Sequence, residues 1–263
     1  MQNNTAENNT QRDDDGHRRR KLYIIGTGPG SLEQLTPAAK KAIENSTVVV
    51  GYQLYIELIE PLLENKEVIS SGMRREIERC ETAIKYAREG EVVSLISSGD
   101  PGIYGMAGPV FEILNEENTE SDLEVEIVPG ISAAQAAASL AGAPLMNDYA
   151  VISLSDLMTP WEVIEKRLKA AAEGDFVIVL YNPKSKKRTE QILRAKEIIL
   201  NTRSQSLPVA IVENAYRENQ KIVHTDINSF TGCEIGMLSV VIIGNSQTVF
   251  EKGKMVTARG YKV

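Results

Sequence analysis

A short apolar run, Leu22–Ile25, ends in Gly26-Thr27-Gly28-Pro29-Gly30. Glycines placed after a strand let backbone come close to a ligand, and the first chemistry such a loop suggests is dinucleotide binding. Three features oppose it. The third glycine has the wrong spacing, Pro29 removes a backbone N–H where a phosphate needs a donor, and the next apolar run ends Val50-Gly51-Tyr52 without a carboxylate for a ribose. No Gly-Lys-Ser/Thr follows, which excludes a P-loop. On its own the loop reads equally well as a tight turn.

Three further loops follow predicted strands: Ser98-Gly99-Asp100-Pro101-Gly102, Pro129-Gly130-Ile131-Ser132-Ala133 and Tyr181-Asn182-Pro183. Ligands of open α/β sheets sit beyond the carboxyl ends of the strands, where these loops fall. Asp100, between glycines, is placed to accept from ligand hydroxyl or amino groups; the competing reading is an Asx-turn. Asn182 before Pro183 has the same two readings, ligand contact or turn former.

The elements that must hold these loops are short. Leu22–Ile25, Val48–Val50, Glu67–Ile69, Val92–Ile96 and Val125–Val128 read as strands, with helices from Thr36-Pro37 and over Arg74–Arg88, Val110–Leu114 and Ser132–Leu140. Thr36 is the expected N-cap, with Pro37 at the first helical position. Strand–helix alternation implies a parallel sheet with crossover helices. After Gly142-Ala143-Pro144 come strands at Ala150–Leu154, Phe176–Leu180, Val209–Glu213, Lys221–His224 and Ser239–Ile243, with helices over Pro160–Ala172 and Ser185–Leu200. The expected organisation is a disordered polar tail over 1–20, an α/β domain over 21–146 and a second over 147–263 that completes the site.

Composition removes several functional classes. Cys80 and Cys233 are the only cysteines, which excludes a disulfide scaffold and a Cys-rich metal site, and His17 and His224 are the only histidines, which argues against a His triad. No protein-bound metal is expected. The chain carries a net charge of −7, and residues 22–263 carry −8, so a basic nucleic-acid face is not expected. The Arg18-Arg19-Arg20-Lys21 cluster reads as part of a solvated tail. No apolar run reaches the roughly 18 residues of a membrane span. Met1 to Lys21 lacks the apolar stretch of a secretory signal, so no membrane partner and a cytoplasmic location are expected.

Together, the loops at 26–30, 98–102 and 128–134 resemble the tetrapyrrole methylase family, in order and spacing, over about Leu22 to Asn245. The resemblance implies an α/β protein of two α/β domains with the active-site cleft between them. It further implies S-adenosyl-L-methionine as methyl donor, S-adenosyl-L-homocysteine as product, and a homodimer. Ser71-Gly72-Met73-Arg74-Arg75-Glu76, Ser153 to Trp161, Tyr181-Asn182-Pro183-Lys184-Ser185 and Arg259-Gly260-Tyr261 look like the branch that methylates C17 of precorrin-3B, whose anaerobic form acts on cobalt-factor III, with ring contraction in cobalamin synthesis.

By motif position, the resemblance places cofactor contacts at Pro29, Ser98, Gly99, Asp100, Ile103, Ser132, Ala133, Asn182 and Ala215, and tetrapyrrole contacts at Gly28, Gly30 and Arg74. Bidentate Arg–carboxylate pairing suits a substrate rich in carboxylates. Arg75 reads as a solvated helix residue. Lys184, Lys186, Lys187 and Arg188 read as a basic helix start, solvated for at least two of the four, whose opposition to the helix dipole leaves an anionic partner open for the others. For proton transfer the candidates are Tyr52, Tyr104 and Asp156, with Glu76 also weighed. The chain departs here from uroporphyrinogen methylases, which place an Asp just after the second strand; this chain has Gly51-Tyr52. Trp161 reads as core and His224 as structural. Two alternatives stay open: another branch of the family, acting on a different corrin carbon or on diphthine precursors, and a non-enzymatic binder of a tetrapyrrole or nucleoside.

Overall fold

The structure is a computed structural model and describes residues 20–116 and 123–261. The expected polar tail, residue 20 apart, lies outside the described residues. The chain divides into two compact units, Met1–Ser132 and Ala133–Val263.

The first unit runs β1 (Lys21–Gly26), α1 (Pro37–Asn45), β2 (Val48–Tyr52), α2 (Gln53–Glu57), β3 (Glu67–Ser71), α3 (Glu76–Arg88), β4 (Val92–Ser97), α4 (Ala107–Glu116) and β5 (Glu124–Val128). Its five strands form a parallel sheet in the order β3-β2-β4-β1-β5. Alternate residues of β1 feed two cores, as the pleat requires. Leu22 and Ile24 join Cys80, Ala83, Ile84 and Val110 on the α3–α4 side; Tyr23 and Ile25 join Ala39, Ile43 and Ile56 on the α1–α2 side. Burial on both faces is why β1 and β2 read as near-continuous apolar runs, and β4 as one interrupted only by the buried Ser94. Thr36 caps α1 as expected, its Oγ accepting from the Ala39 N–H at 3.1 Å.

The second unit runs α5 (Ala133–Ala141), β6 (Gly142–Ala143), β7 (Tyr149–Ser153), α6 (Trp161–Glu173), β8 (Val177–Tyr181), α7 (Glu190–Leu200), β9 (Pro208–Glu213), β10 (Lys221–Asp226), β11 (Ser239–Ile243), β12 (Thr248–Glu251) and β13 (Lys254–Thr257). Its main sheet has the order β10-β9-β11-β8-β7, with only β7 and β8 parallel. A second, small sheet has the order β12-β13-β6.

The structure departs from expectation in three places. The units divide before α5, not between residues 146 and 147. Ala134, Ala137, Ala138 and Ala141 pack on Val177, Val179, Ala210 and Ile242, and Gly142 pairs with Met255. The Gly-Ala-Pro break therefore ends a helix, not a domain. The helix expected from Ser185 starts at Glu190, so the basic cluster lies in the loop before it and Glu190 occupies the first turn, in keeping with the dipole. Helix α3 starts at Glu76, because Arg74 sits at φ +66° and breaks the helical run.

Candidate functional site

Every functional candidate in the first unit lies at the carboxyl edge of its parallel sheet. Strands β1 and β4 are neighbours, and their loops form a two-stranded bridge: the Gly28 N–H donates to the Gly99 carbonyl at 3.1 Å and the Gly99 N–H to the Gly28 carbonyl at 2.7 Å. Thr27 reinforces this with N–H and Oγ donations to the Ser97 carbonyl at 2.8 and 3.2 Å. The Ser98 hydroxyl donates to the Gly28 carbonyl at 3.4 Å.

The loop after β5 completes the cradle. A Cβ on Gly130 would lie 2.2 Å from the Gly99 oxygen, and one on Gly26 would lie 2.6 Å from both the Gly99 oxygen and the Gly130 nitrogen. Three backbones therefore meet where no side chain fits. Asp100 fastens the arrangement, Oδ1 accepting from the Gly102 N–H at 2.9 Å and Oδ2 from the Gly130 N–H at 3.1 Å. The first bond is the Asx-turn weighed from the sequence; the second reaches another loop. Each oxygen retains a further lone pair for a ligand. Pro29 and Ser132 are buried beside these glycines, while Ile103 and Tyr104 remain exposed, Tyr104 at φ +53°.

Tyr52 ends β2 and stacks edge-on against Tyr55, ring centroids 5.1 Å apart. The preceding Gly51 admits close packing, since a Cβ there would lie 2.5 Å from Ile96 Cγ1. Across the edge of the sheet, Arg74 is exposed on the loop after β3. Arg79 is buried behind that loop. Its Nη1 donates to Ser71 Oγ and to the Gly72 carbonyl, both at 2.9 Å, and its Nη2 lies 3.3 Å from the Glu76 carboxylate.

In the second unit, Tyr181 ends β8 and its hydroxyl accepts from the Ala134 N–H at 2.7 Å, tying the start of α5 to the sheet. Ala133, Tyr181 and Ala215 pack on one core cluster. Asn182 sits at φ +49° and its Nδ2 donates to Ser153 Oγ at 3.0 Å, while its carbonyl accepts from Arg188 Nη2 at 2.8 Å. Burial pulls the Arg188 guanidinium below its usual range, against the pull of Asp156. Asp156 is exposed, and its carboxylate accepts from Gln191 Nε2 at 2.8 Å.

The structure thus brings together Gly28, Pro29, Gly30, Ser98, Gly99, Asp100 and Ser132 at one sheet edge, with Tyr104 further along the loop after β4, Tyr52 at the end of β2 and Arg74 on the loop after β3. Ala133, Asn182 and Ala215 are gathered in the second unit. Arg79 carries a signal that sequence reading passed over. It lies on the helical stripe of Cys80, Ala83, Ile84 and Ala87, so an arginine there faces the interior and needs partners. Trp161 packs against the core and donates from Nε1 to Glu165 at 2.7 Å, as a core residue would. His224 packs its ring 4.8 Å from Phe250 on the edge strand β10. Burial pushes the Cys80 thiol up to about 11, so it is not a nucleophile at neutral pH. Among the described residues, no helix is long and apolar enough to cross a membrane.

A parallel sheet with this glycine cradle, joined to a mixed α/β unit, defines a class. Residues 21–231 match the family described as Tetrapyrrole (Corrin/Porphyrin) Methylases, and the chain belongs to it. Within that family, it is 50% identical over 244 residues to a "Cobalt-factor III methyltransferase" of Priestia megaterium, covering 92% of this chain and 45% of that one. The chain thus spans less than half the length of this relative. It is 47% identical over 240 residues to a "Probable cobalt-factor III C(17)-methyltransferase" of Salmonella typhimurium, covering 91% of this chain and 99% of that one. Among solved structures, it resembles "the methyltransferase CobJ" with a TM-score of 0.85 at 34% identity, covering 90% of this chain and 99% of that one. It also resembles a uroporphyrin-III C-methyl transferase of Thermus thermophilus complexed with S-adenyl homocysteine, with a TM-score of 0.66 at 25% identity, covering 85% of this chain and 92% of that one.

Proposed function

We propose that the chain methylates C17 of precorrin-3B or cobalt-factor III, with contraction of the macrocycle, in cobalamin synthesis, using S-adenosyl-L-methionine. The observation that carries this reading is the 47% identity to a C17-methyltransferase relative that the chain covers almost end to end. The glycine cradle supports the donor. It is built of glycine backbone with the Asp100 carboxylate as its acidic side chain, a set suited to a nucleoside and an amino acid and poor for a metal.

S-adenosylmethionine supplies a methyl group already activated as a sulfonium. The chain's work is placement, which can contribute most of the barrier reduction in such a reaction. Pro29, Ser98, Gly99, Asp100, Ile103, Ser132, Ala133, Asn182 and Ala215 hold the donor. Gly28 and Gly30 offer bare backbone to the macrocycle, and Arg74 pairs with a peripheral carboxylate. Tyr52 and Tyr104 serve as proton donors and Asp156 as an acceptor during contraction.

Two measurements test this reading together: calorimetric titration with S-adenosylhomocysteine, and transfer of labelled methyl to cobalt-factor III or precorrin-3B. Binding with label on the tetrapyrrole is expected. Binding with no label on either substrate would move the chain to another branch or to a non-enzymatic binder.

A further inference from the structure

Arg79 is a costly residue in its place. It is 5% exposed, and a buried guanidinium is tolerated only when its donors are satisfied. Its partners are not spread through the core. Ser71 Oγ and the Gly72 carbonyl, at 2.9 Å each, belong to the segment running out of β3, and Glu76 begins α3. The guanidinium carbon also lies 5.9 Å from the centroid of the Tyr52 ring, at the end of β2. One side chain therefore touches the ends of two neighbouring strands and the first turn of a helix.

The segment it grips is unusual. Arg74 follows at φ +66°, a conformation that a non-glycine residue holds only when its surroundings impose it. Met73 is 54% exposed and Ile77 is 50% exposed, on either side of Arg74 in sequence. Exposed apolar side chains next to an exposed cation match a flat macrocycle with peripheral carboxylates.

We propose that Arg79 is a positioning residue: from behind the loop it fixes where Arg74 and Tyr52 meet the tetrapyrrole, without touching substrate or donor. The inference rests on the methyltransferase reading above. A purely structural staple would change thermal stability, with kcat and donor affinity moving together. A positioning residue changes KM for the tetrapyrrole and leaves donor affinity alone.

The test uses Arg79→Lys and Ser71→Ala. Lysine keeps the charge but as a point donor cannot span both Ser71 Oγ and the Gly72 carbonyl in one fork. Ser71→Ala removes one acceptor while Gly72 and Glu76 still hold the guanidinium, so this variant folds even if the lysine variant does not. Each is assayed for KM with cobalt-factor III, for S-adenosylhomocysteine affinity, and in combination with Arg74→Ala. The expected result is a KM raised at least about fivefold with donor affinity within about twofold. Arg74→Ala should add little on top of Arg79→Lys, because the two act through one loop. An unchanged KM in folded Ser71→Ala and Arg79→Lys proteins, or full additivity with Arg74→Ala, overturns the proposal. If the unsubstituted protein neither binds nor methylates either tetrapyrrole, the methyltransferase reading fails and this inference falls with it.

Discussion

Asp100 and Gly130 are joined across a strand that belongs to neither of them. The Asp100 Oδ2 accepts from the Gly130 N–H at 3.1 Å, although β4 and β5 are separated in the sheet by β1. The contact passes over Gly26, the last residue of β1, and exists because Gly26 has no Cβ to block it. The cradle is therefore one unit made of three loops, and Asp100 is its clasp. Asp100→Ala should weaken S-adenosylhomocysteine binding at least about tenfold and cost about 1 kcal/mol of stability, the loss of the hydrogen bonds from the half-buried Gly130 N–H and the exposed Gly102 N–H. Titration calorimetry and chemical denaturation read the two effects. Unchanged affinity would remove Asp100 from the donor site.

The close approach itself can be tested with a methyl group. Gly130→Ala puts a Cβ 2.2 Å from the Gly99 oxygen, and backbone cannot yield as a flexible side chain can. Overpacking of this kind costs about 1–3 kcal/mol or more. Gly108→Ala is the matched control. It lies within α4, where a Cβ meets nothing within 4 Å, so the change should stabilise by up to about 1 kcal/mol. Thermal melting of the two variants should move in opposite directions; shifts of the same sign would contradict the packing account.

Arg203 should matter for stability and not for ligands. It donates to the carbonyls of Ala171 at 2.7 Å, Ala172 at 3.0 Å, Phe176 at 2.7 Å and Gly244 at 3.2 Å, closing the end of α6 against the loop after β11. Arg203→Met removes this donor from the Phe176 and Gly244 carbonyls, while those of Ala171 and Ala172 keep the Phe176 and Asp175 N–H groups at 3.1 and 3.2 Å. A loss of at least about 2 kcal/mol is expected in urea unfolding, with S-adenosylhomocysteine affinity unchanged in the folded protein. A loss below about 0.5 kcal/mol would show that water replaces the guanidinium at no cost.

His224 gives the stability a pH dependence of known sign. Burial and the nearby Lys254 hold its imidazole below the usual range, with a backbone bond to Ala141 acting the other way. The unfolded chain therefore takes up the proton first as pH falls below about 6.5. The contribution of His224 is complete above that pH and drains away through the interval down to the lower folded value. His224→Gln should flatten the stability profile between about pH 5 and 7 relative to the unsubstituted protein. Identical slopes for the two proteins would exclude His224 as the source.

The sequence carried much of this account, for physical reasons that can be named. β1, β2 and β4 are buried on both faces, so their residues form near-continuous apolar runs, broken in β4 only by Ser94, whose ends are easily seen. The functional loops follow those ends directly. What escaped reading depends on contacts remote in sequence. The hairpin of β12 and β13 is short, mostly exposed and closed by Lys252 and Gly253 at φ +49° and +75°, so no apolar run marks it. The true unit boundary was hidden because the alanines of α5 do not reveal which sheet they pack against. Arg79 is polar on a buried stripe, and only the position of Ser71 and Gly72 explains it.

The central claim is the reaction, and the most direct test is mass spectrometry of the product formed from cobalt-factor III and S-adenosylmethionine by the purified protein. The account expects a gain of one methyl group with spectral loss of the larger macrocycle. An unmethylated tetrapyrrole, from protein that still binds S-adenosylhomocysteine, would contradict it.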